Sequence, residues 1–223
     1  MTRIVRGVGW LLVSTGVLIL LYLVYLMFFT GISTDRAQQA MLEEWELEYG
    51  VLDGDRPVGA TERPEPAEIE PVDPGDAYAV LWFERDGEPI VHEEPLFVVE
   101  GVTLDHLRDG PGHYPDSAAP GEDGNFAVSG HRTTNSAPFY DLDQLEDGDE
   151  VHVVDRAGAR WVYTVTGERI VAPTDVWVVG DDPLGTGEPM LTLTTCHPRF
   201  SAAQRLIVFA TLTGSEAADE TAA

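Results

Sequence analysis

The chain changes its hydrophobic pattern twice. From Val8 to Phe29 no side chain is charged, and at about 1.5 Å per residue a helix of that length spans the ~30 Å hydrocarbon core of a bilayer. Arg3 and Arg6 precede the run, and the first charge after it is Asp35. The positive-inside rule therefore places residues 1–7 in the cytoplasm, a membrane helix at 8–29 and the remainder outside. The run is longer than a signal-peptide core and no small-x-small cleavage site follows it, so an uncleaved anchor is expected. Residues 35–49 are good helix formers mixed with acids and either extend the membrane helix or form a short stalk. Met41, Leu42 and Trp45 make a weak apolar stripe there, read as incidental. Residues 50–75 are rich in Pro, Gly and Glu, too polar to bury a core, and read as an extended tether. The whole of 30–75 is thus expected as an acidic stalk and linker.

From residue 76 the period changes to that of short strands between turns. Ala77–Glu84, Pro89–Glu93 and Leu96–Val102 come first, with Asp86-Gly87 as a hairpin turn. Asn125–Gly130, Glu150–Asp155, Arg160–Val171, Met190–Cys196 and Leu206–Leu212 follow. Short helical stretches are expected after Thr103, at Pro138–Leu145 and at Pro173–Val179, and residues 109–124 read as a Gly/Pro-rich loop. About eight strands with few helices predict an all-β, closed or nearly closed barrel over 76–214. Residues 215–223 are expected as a disordered tail.

Charge narrows the function. Thirteen basic residues, all arginine, stand against 39 acidic ones, for a net charge of −26. No basic patch offsets that field, which excludes nucleic-acid binding. A single cysteine, Cys196, rules out an internal disulfide. Outside the cell an unpaired thiol is a liability unless it is buried or used.

Cys196 ends one strand and Arg205 opens the next, so an antiparallel pairing makes them neighbours at one end of the ladder. Alternation puts Thr192, Thr194 and Cys196 on one face, and Leu191, Leu193 and Thr195 on the other. A thiol attacks carbonyls as the thiolate, which an adjacent cation or imidazole favours. Of six histidines, His131 closes the strand Asn125–Gly130 and opens a polar turn, whereas His197 follows the cysteine and points away if the strand continues.

The blocks Ala-Val-Ser-Gly-His131-Arg-Thr-Thr, Pro138-Phe-Tyr-Asp-Leu-Asp-Gln-Leu-Glu-Asp-Gly-Asp149 and Leu-Thr-Leu-Thr-Thr-Cys196, followed by Arg205, resemble the sortases, membrane-anchored cysteine transpeptidases of Gram-positive surfaces. The short Cys-to-Arg loop is most similar to the actinobacterial class E group. The resemblance implies an eight-stranded sortase barrel with Cys196 as nucleophile, His131 as general acid and base, and Arg205 as ligand of the substrate carbonyl and oxyanion. Thr194 and Thr195 match the family's threonines before the cysteine and line its groove. The implied substrates are surface proteins ending in a Leu-Ala-x-Thr-Gly or Leu-Pro-x-Thr-Gly signal, cut between Thr and Gly, with a peptidoglycan-precursor amine as acceptor. No cofactor and no metal site are expected, and the absence of a second span argues for protein anchoring over pilus polymerisation. The rival reading is a non-catalytic, membrane-tethered β-domain whose thiol is a buried core residue.

Overall fold

A computed structural model of the chain describes residues 2–49 and 71–216. The tether expected at 50–75 lies mostly outside the described residues, as do Met1 and the tail beyond residue 216.

Eight strands close into a barrel. In chain order the strands are β1 (Ala77–Arg85), β2 (Glu88–Pro89), β3 (Leu96–Glu100), β4 (Gly112–His113), β5 (Asn125–Ser129), β6 (Glu150–Asp155), β7 (Arg160–Val171), β8 (Met190–His197) and β9 (Gln204–Glu216). The order β1-β3-β4-β5-β8-β9-β7-β6 returns to β1 through a β1–β6 ladder, and β2 is a two-residue addition to β1. The β3–β4 and β5–β8 pairs are parallel and the others antiparallel. Closure removes the open edges an eight-stranded sheet would otherwise present. Single 3₁₀ turns at His106–Arg108, Leu142–Gln144 and Val176–Val179 stand where the short helices were expected.

Alternation fills the barrel. Leu81 and Phe83 of β1, Phe126 and Val128 of β5, Val151 and Val153 of β6, Trp161 and Tyr163 of β7, Leu191 and Leu193 of β8, and Leu206 and Val208 of β9 share one core. Phe139, Leu142 and Leu145 belong to it from the connection after β5. On the opposite face of β8 and β9, Met190, Ile207 and Phe209 pack under Val178. The Asp86-Gly87 turn has φ of 54° and 81°, the left-handed geometry that a two-residue hairpin requires.

Several elements differ from expectation. The strand expected at Pro89–Glu93 is reduced to the two residues of β2, and β3 ends at Glu100 rather than Val102. β4 lies inside the Gly/Pro-rich stretch; its two residues are too few to show a period, and it pairs with both β3 and β5. β9 continues through Ser215 and Glu216, into the expected tail, because they pair with Trp161 and Arg160. The largest difference is α1 (Thr2–Tyr49), a single helix of 48 residues. Its segment Arg3–Leu23 is long and apolar enough to cross a membrane and is not buried by the protein. Its C-terminal third lies on the barrel. Val80 and Phe97 point out of the barrel, and Trp45 of α1 covers them, itself only 3% exposed, with Met41 alongside. The Trp45 and Phe97 rings meet edge to face at 5.8 Å. Of the apolar stripe read as incidental, Met41 and Trp45 therefore form a packing face, while Leu42 stays exposed.

Candidate active site

The strand that carries Cys196 is fixed from both sides. Antiparallel pairing sets Cys196 directly opposite Arg205, and His197 opposite Gln204. Parallel pairing sets Ser129 beside Thr194. The strand contact continues past that point: Gly130 N donates to Thr194 O at 3.0 Å, and the Thr195 hydroxyl donates to Gly130 O at 2.8 Å. His131 and Cys196 are each two residues beyond the Ser129–Thr194 pair. The fold thus delivers histidine, cysteine and arginine side by side on three adjacent strand ends, β5, β8 and β9.

Gly130 is the pivot. A Cβ there would lie 2.5 Å from the Phe139 ring, so only glycine lets that ring fill the barrel end beneath His131. Phe139 N in turn donates to His131 O at 3.1 Å, which closes the loop after β5 onto itself.

Cys196 is half-buried, not a core thiol. His131 is also half-buried, and burial pulls its imidazole below the ordinary histidine value, favouring the neutral ring. No hydrogen bond joins the Cys196 thiol to the His131 ring. Arg205 Nη1 donates to the carbonyls of Ala202 and Gln204, both at 3.0 Å. Those bonds hold the guanidinium on the loop between β8 and β9 while leaving Nε and Nη2 without an acceptor among the described residues. Thr194 and Thr195 are both buried. Thr194 shares the Cys196 face and its hydroxyl lies 3.4 Å from that of Tyr114, whereas the Thr195 hydroxyl is taken by Gly130.

Sequence reasoning missed the residues that tie the two sides together. Arg132, only 2% exposed, follows His131 and reaches across to β8. Its guanidinium donates to Cys196 O at 3.4 Å, His197 Nδ1 at 3.1 Å and Tyr140 O at 3.4 Å, and pairs with Asp143 at 2.7 Å. Arg199, from the loop after β8, pairs with Asp143 at 2.7 Å and Asp141 at 2.9 Å and lies over the Tyr140 ring. Because an arginine only donates, His197 Nδ1 accepts and its proton sits on Nε2. The only signal in the sequence is the arginine directly after His131; its partners are eight or more residues away.

Glu84, Glu150 and His152 bring three potential metal-ligand atoms within 4.8 Å of one another. Arg160 Nη2, however, donates to His152 Nδ1 at 3.2 Å. The imidazole proton therefore sits on Nε2, which faces Glu150 at 3.2 Å and Glu84 at 3.4 Å. A protonated nitrogen is not a ligand, and the trio lies on β1 and β6, strands that do not carry the site.

The eight-stranded barrel thus brings Cys196, His131 and Arg205 to adjoining strand ends. Residues 91–213 match the family model of the sortase domain, and the chain belongs to the sortase family. Sortase SrtE1 of Streptomyces coelicolor is 27% identical over 92% of this chain, which spans 56% of that relative's length. The structure of sortase E from Streptomyces avermitilis superposes with a TM-score of 0.57 at 36% identity, covering 67% of this chain and 95% of that one. Sortase E1 from Streptomyces coelicolor, solved with a tripeptide in the active site, matches with a TM-score of 0.56 at 25% identity, covering 69% and 98%.

Proposed function

We propose that the protein is a membrane-anchored cysteine transpeptidase that joins the C-terminus of exported proteins to a cell-wall amine. The observation that carries this reading is the convergence of Cys196, Arg205 and His131 on neighbouring strand ends. The Cys196 thiol gives its proton to the neutral His131 ring as its sulfur attacks the carbonyl carbon of the Thr–Gly bond in a Leu-Ala-x-Thr-Gly or Leu-Pro-x-Thr-Gly signal. The tetrahedral oxyanion takes hydrogen bonds from the Arg205 guanidinium, whose Nε and Nη2 are available to it. The C–N bond breaks as His131, as imidazolium, gives its proton to the departing glycine amine, leaving a thioacyl enzyme and a neutral ring. The acceptor amine, supplied by a peptidoglycan precursor, loses its proton to His131 as it attacks the thioester, and the thiolate leaves. Thr194, on the face of Cys196, lines the acyl side of the groove, and Thr195 keeps the β5 and β8 ends in register. With the uncharged run 8–29 as the core of the anchor and Arg3 and Arg6 at its N-terminal end, the N-terminus is cytoplasmic and the barrel extracellular.

The half-exposed thiol disfavours a non-catalytic domain with a buried core cysteine. The test is acyl transfer by the full chain in detergent micelles, with a Leu-Ala-x-Thr-Gly peptide, its Leu-Pro-x-Thr-Gly counterpart and an amine, followed by mass. A thioacyl adduct on Cys196 and an amide product are expected, both lost in Cys196→Ala. An active Cys196→Ala protein, or no adduct with either peptide, would sink the reading.

A further inference from the structure

The catalytic loop is held from outside the barrel by the membrane-proximal part of α1. Residues 31–45 continue the helix past its apolar span, and one face of them lies against the barrel. Gln38 is the clamp: its side-chain nitrogen donates to Phe97 O at 3.0 Å and Asp109 O at 2.9 Å, and its oxygen accepts from Phe97 N at 2.8 Å. Thr34 donates to Arg108 O at 2.6 Å. Gly110 permits the approach, since a Cβ there would lie 2.3 Å from the Gln38 nitrogen and 2.7 Å from Phe97 O.

One turn nearer the membrane the same helix meets the loop that carries His131. The Ser136 hydroxyl lies 3.0 Å from Gly31 O and hydrogen-bonds the Asp35 carboxylate. Gly31 makes room, because a Cβ there would sit 3.1 Å from Ser136 Oγ. The loop needs such a support. Asn135, Ser136 and Ala137 have φ of 52°, 56° and 48°, three successive non-glycine residues in the left-handed region, and such backbone persists only where its surroundings over-determine it. Within the loop, Ala137 N bonds Thr134 O and Phe139 N bonds His131 O, so a displacement at Ser136 is passed on toward His131.

We propose that residues 31–45 of α1 are a working part of the catalytic domain, and that Ser136 is a positioning residue through which the anchor helix sets His131. The helix that tethers the enzyme is then also a splint for its acid–base group, and transpeptidation depends on that helix being docked. The catalytic consequence rests on the acyl-transfer reading above; the structural coupling does not.

The test uses the full chain in detergent micelles. Ser136→Ala removes the hydroxyl. Gly31→Leu wedges helix from loop without weakening the helix itself. Ser136→Asn keeps a donor and tolerates left-handed backbone, and serves as the rescue. Hydrogen exchange of the 131–140 amides is expected to rise about tenfold in the first two variants, with β5 amides unchanged. The kcat for acyl transfer should fall roughly five- to tenfold with the KM for peptide unchanged, and Ser136→Asn should restore both. Unchanged loop exchange overturns the coupling whatever the activity. Faster exchange with unchanged kcat overturns the positioning role. Faster exchange in a wild-type background that forms no thioacyl adduct supports the coupling and counts against the transpeptidase reading instead.

Discussion

The Arg132–Asp143 pair makes an asymmetric prediction, because its two ends are buried to different depths. Arg132 is 2% exposed, whereas the Asp143 side chain is 37% exposed and is also paired with Arg199. Replacing Arg132 by Met removes one short charge-assisted bond and three longer contacts, but leaves Asp143 solvated and still paired. Discounted for that exposure, the loss is about 2 kcal/mol. Replacing Asp143 by Ala instead strands a guanidinium inside the protein with only carbonyl and imidazole acceptors. Breaking a buried pair in this direction costs about 3–5 kcal/mol. For a chain of this size the corresponding falls in Tm are roughly 5 °C for Arg132→Met and roughly 10 °C or more for Asp143→Ala. Thermal unfolding of the two variants beside wild type, in one detergent at one pH, reads the difference. Both should also lose activity, by roughly tenfold for Arg132→Met, since that side chain joins the His131 loop to Cys196 O and His197. If Asp143→Ala unfolds at or above the temperature of Arg132→Met, the argument from unequal burial is wrong. Full activity in Arg132→Met would remove Arg132 from the positioning of the site.

The remaining predictions concern pH and packing. An NMR titration of the His131 ring should have its midpoint below about 6.5, because burial disfavours the charged form. Between that midpoint and the unfolded value the unfolded chain binds the extra proton, so stability falls as pH falls through the window; a midpoint at or above 6.5 refutes the desolvation argument. Asp149 is held below the ordinary carboxylate value chiefly by the hydrogen bond from Arg85, at 2.7 Å. That stabilisation is complete above the unfolded value and is lost as pH drops through the folded one. The gap in urea midpoint between wild type and Arg85→Met should therefore be widest near neutrality and shrink below about pH 4; a gap independent of pH would count against it. Gly130→Ala should cost about 1–3 kcal/mol by overpacking, since its Cβ would meet the Phe139 ring at 2.5 Å. It should lower kcat as well; a variant with wild-type stability would show that the ring moves freely.

Much of this was readable along the chain, and the reason is locality. The apolar span needs only composition and length. Glu150–Asp155 and Arg160–Val171 fold as read because they form a hairpin over a short turn. Cys196 and Arg205 were paired correctly for the same cause: the loop between their strands is short enough for alternation and register to propagate across it. His131 could be read only as a strand end followed by a polar turn, and the resemblance to sortases supplied its role. What puts it beside Cys196 is the parallel β5–β8 ladder, joining segments some sixty residues apart, which no local pattern encodes. β4 escaped notice because two residues carry no period.

The sequence by itself determined the membrane-spanning candidate, the all-β barrel, the lone thiol with its facing arginine and, through resemblance, the family. These follow from patterns repeated over short stretches, where side-chain period and turn chemistry act directly. Only the tertiary structure decided that Arg132, Asp143 and Arg199 bind the histidine loop to the cysteine strand. Only it decided that Trp45 and Gln38 turn a supposed stalk into part of the domain. Both depend on which outward-facing residues of a closed barrel are left uncovered, and Val80 and Phe97 become a docking surface only once the barrel has closed behind them.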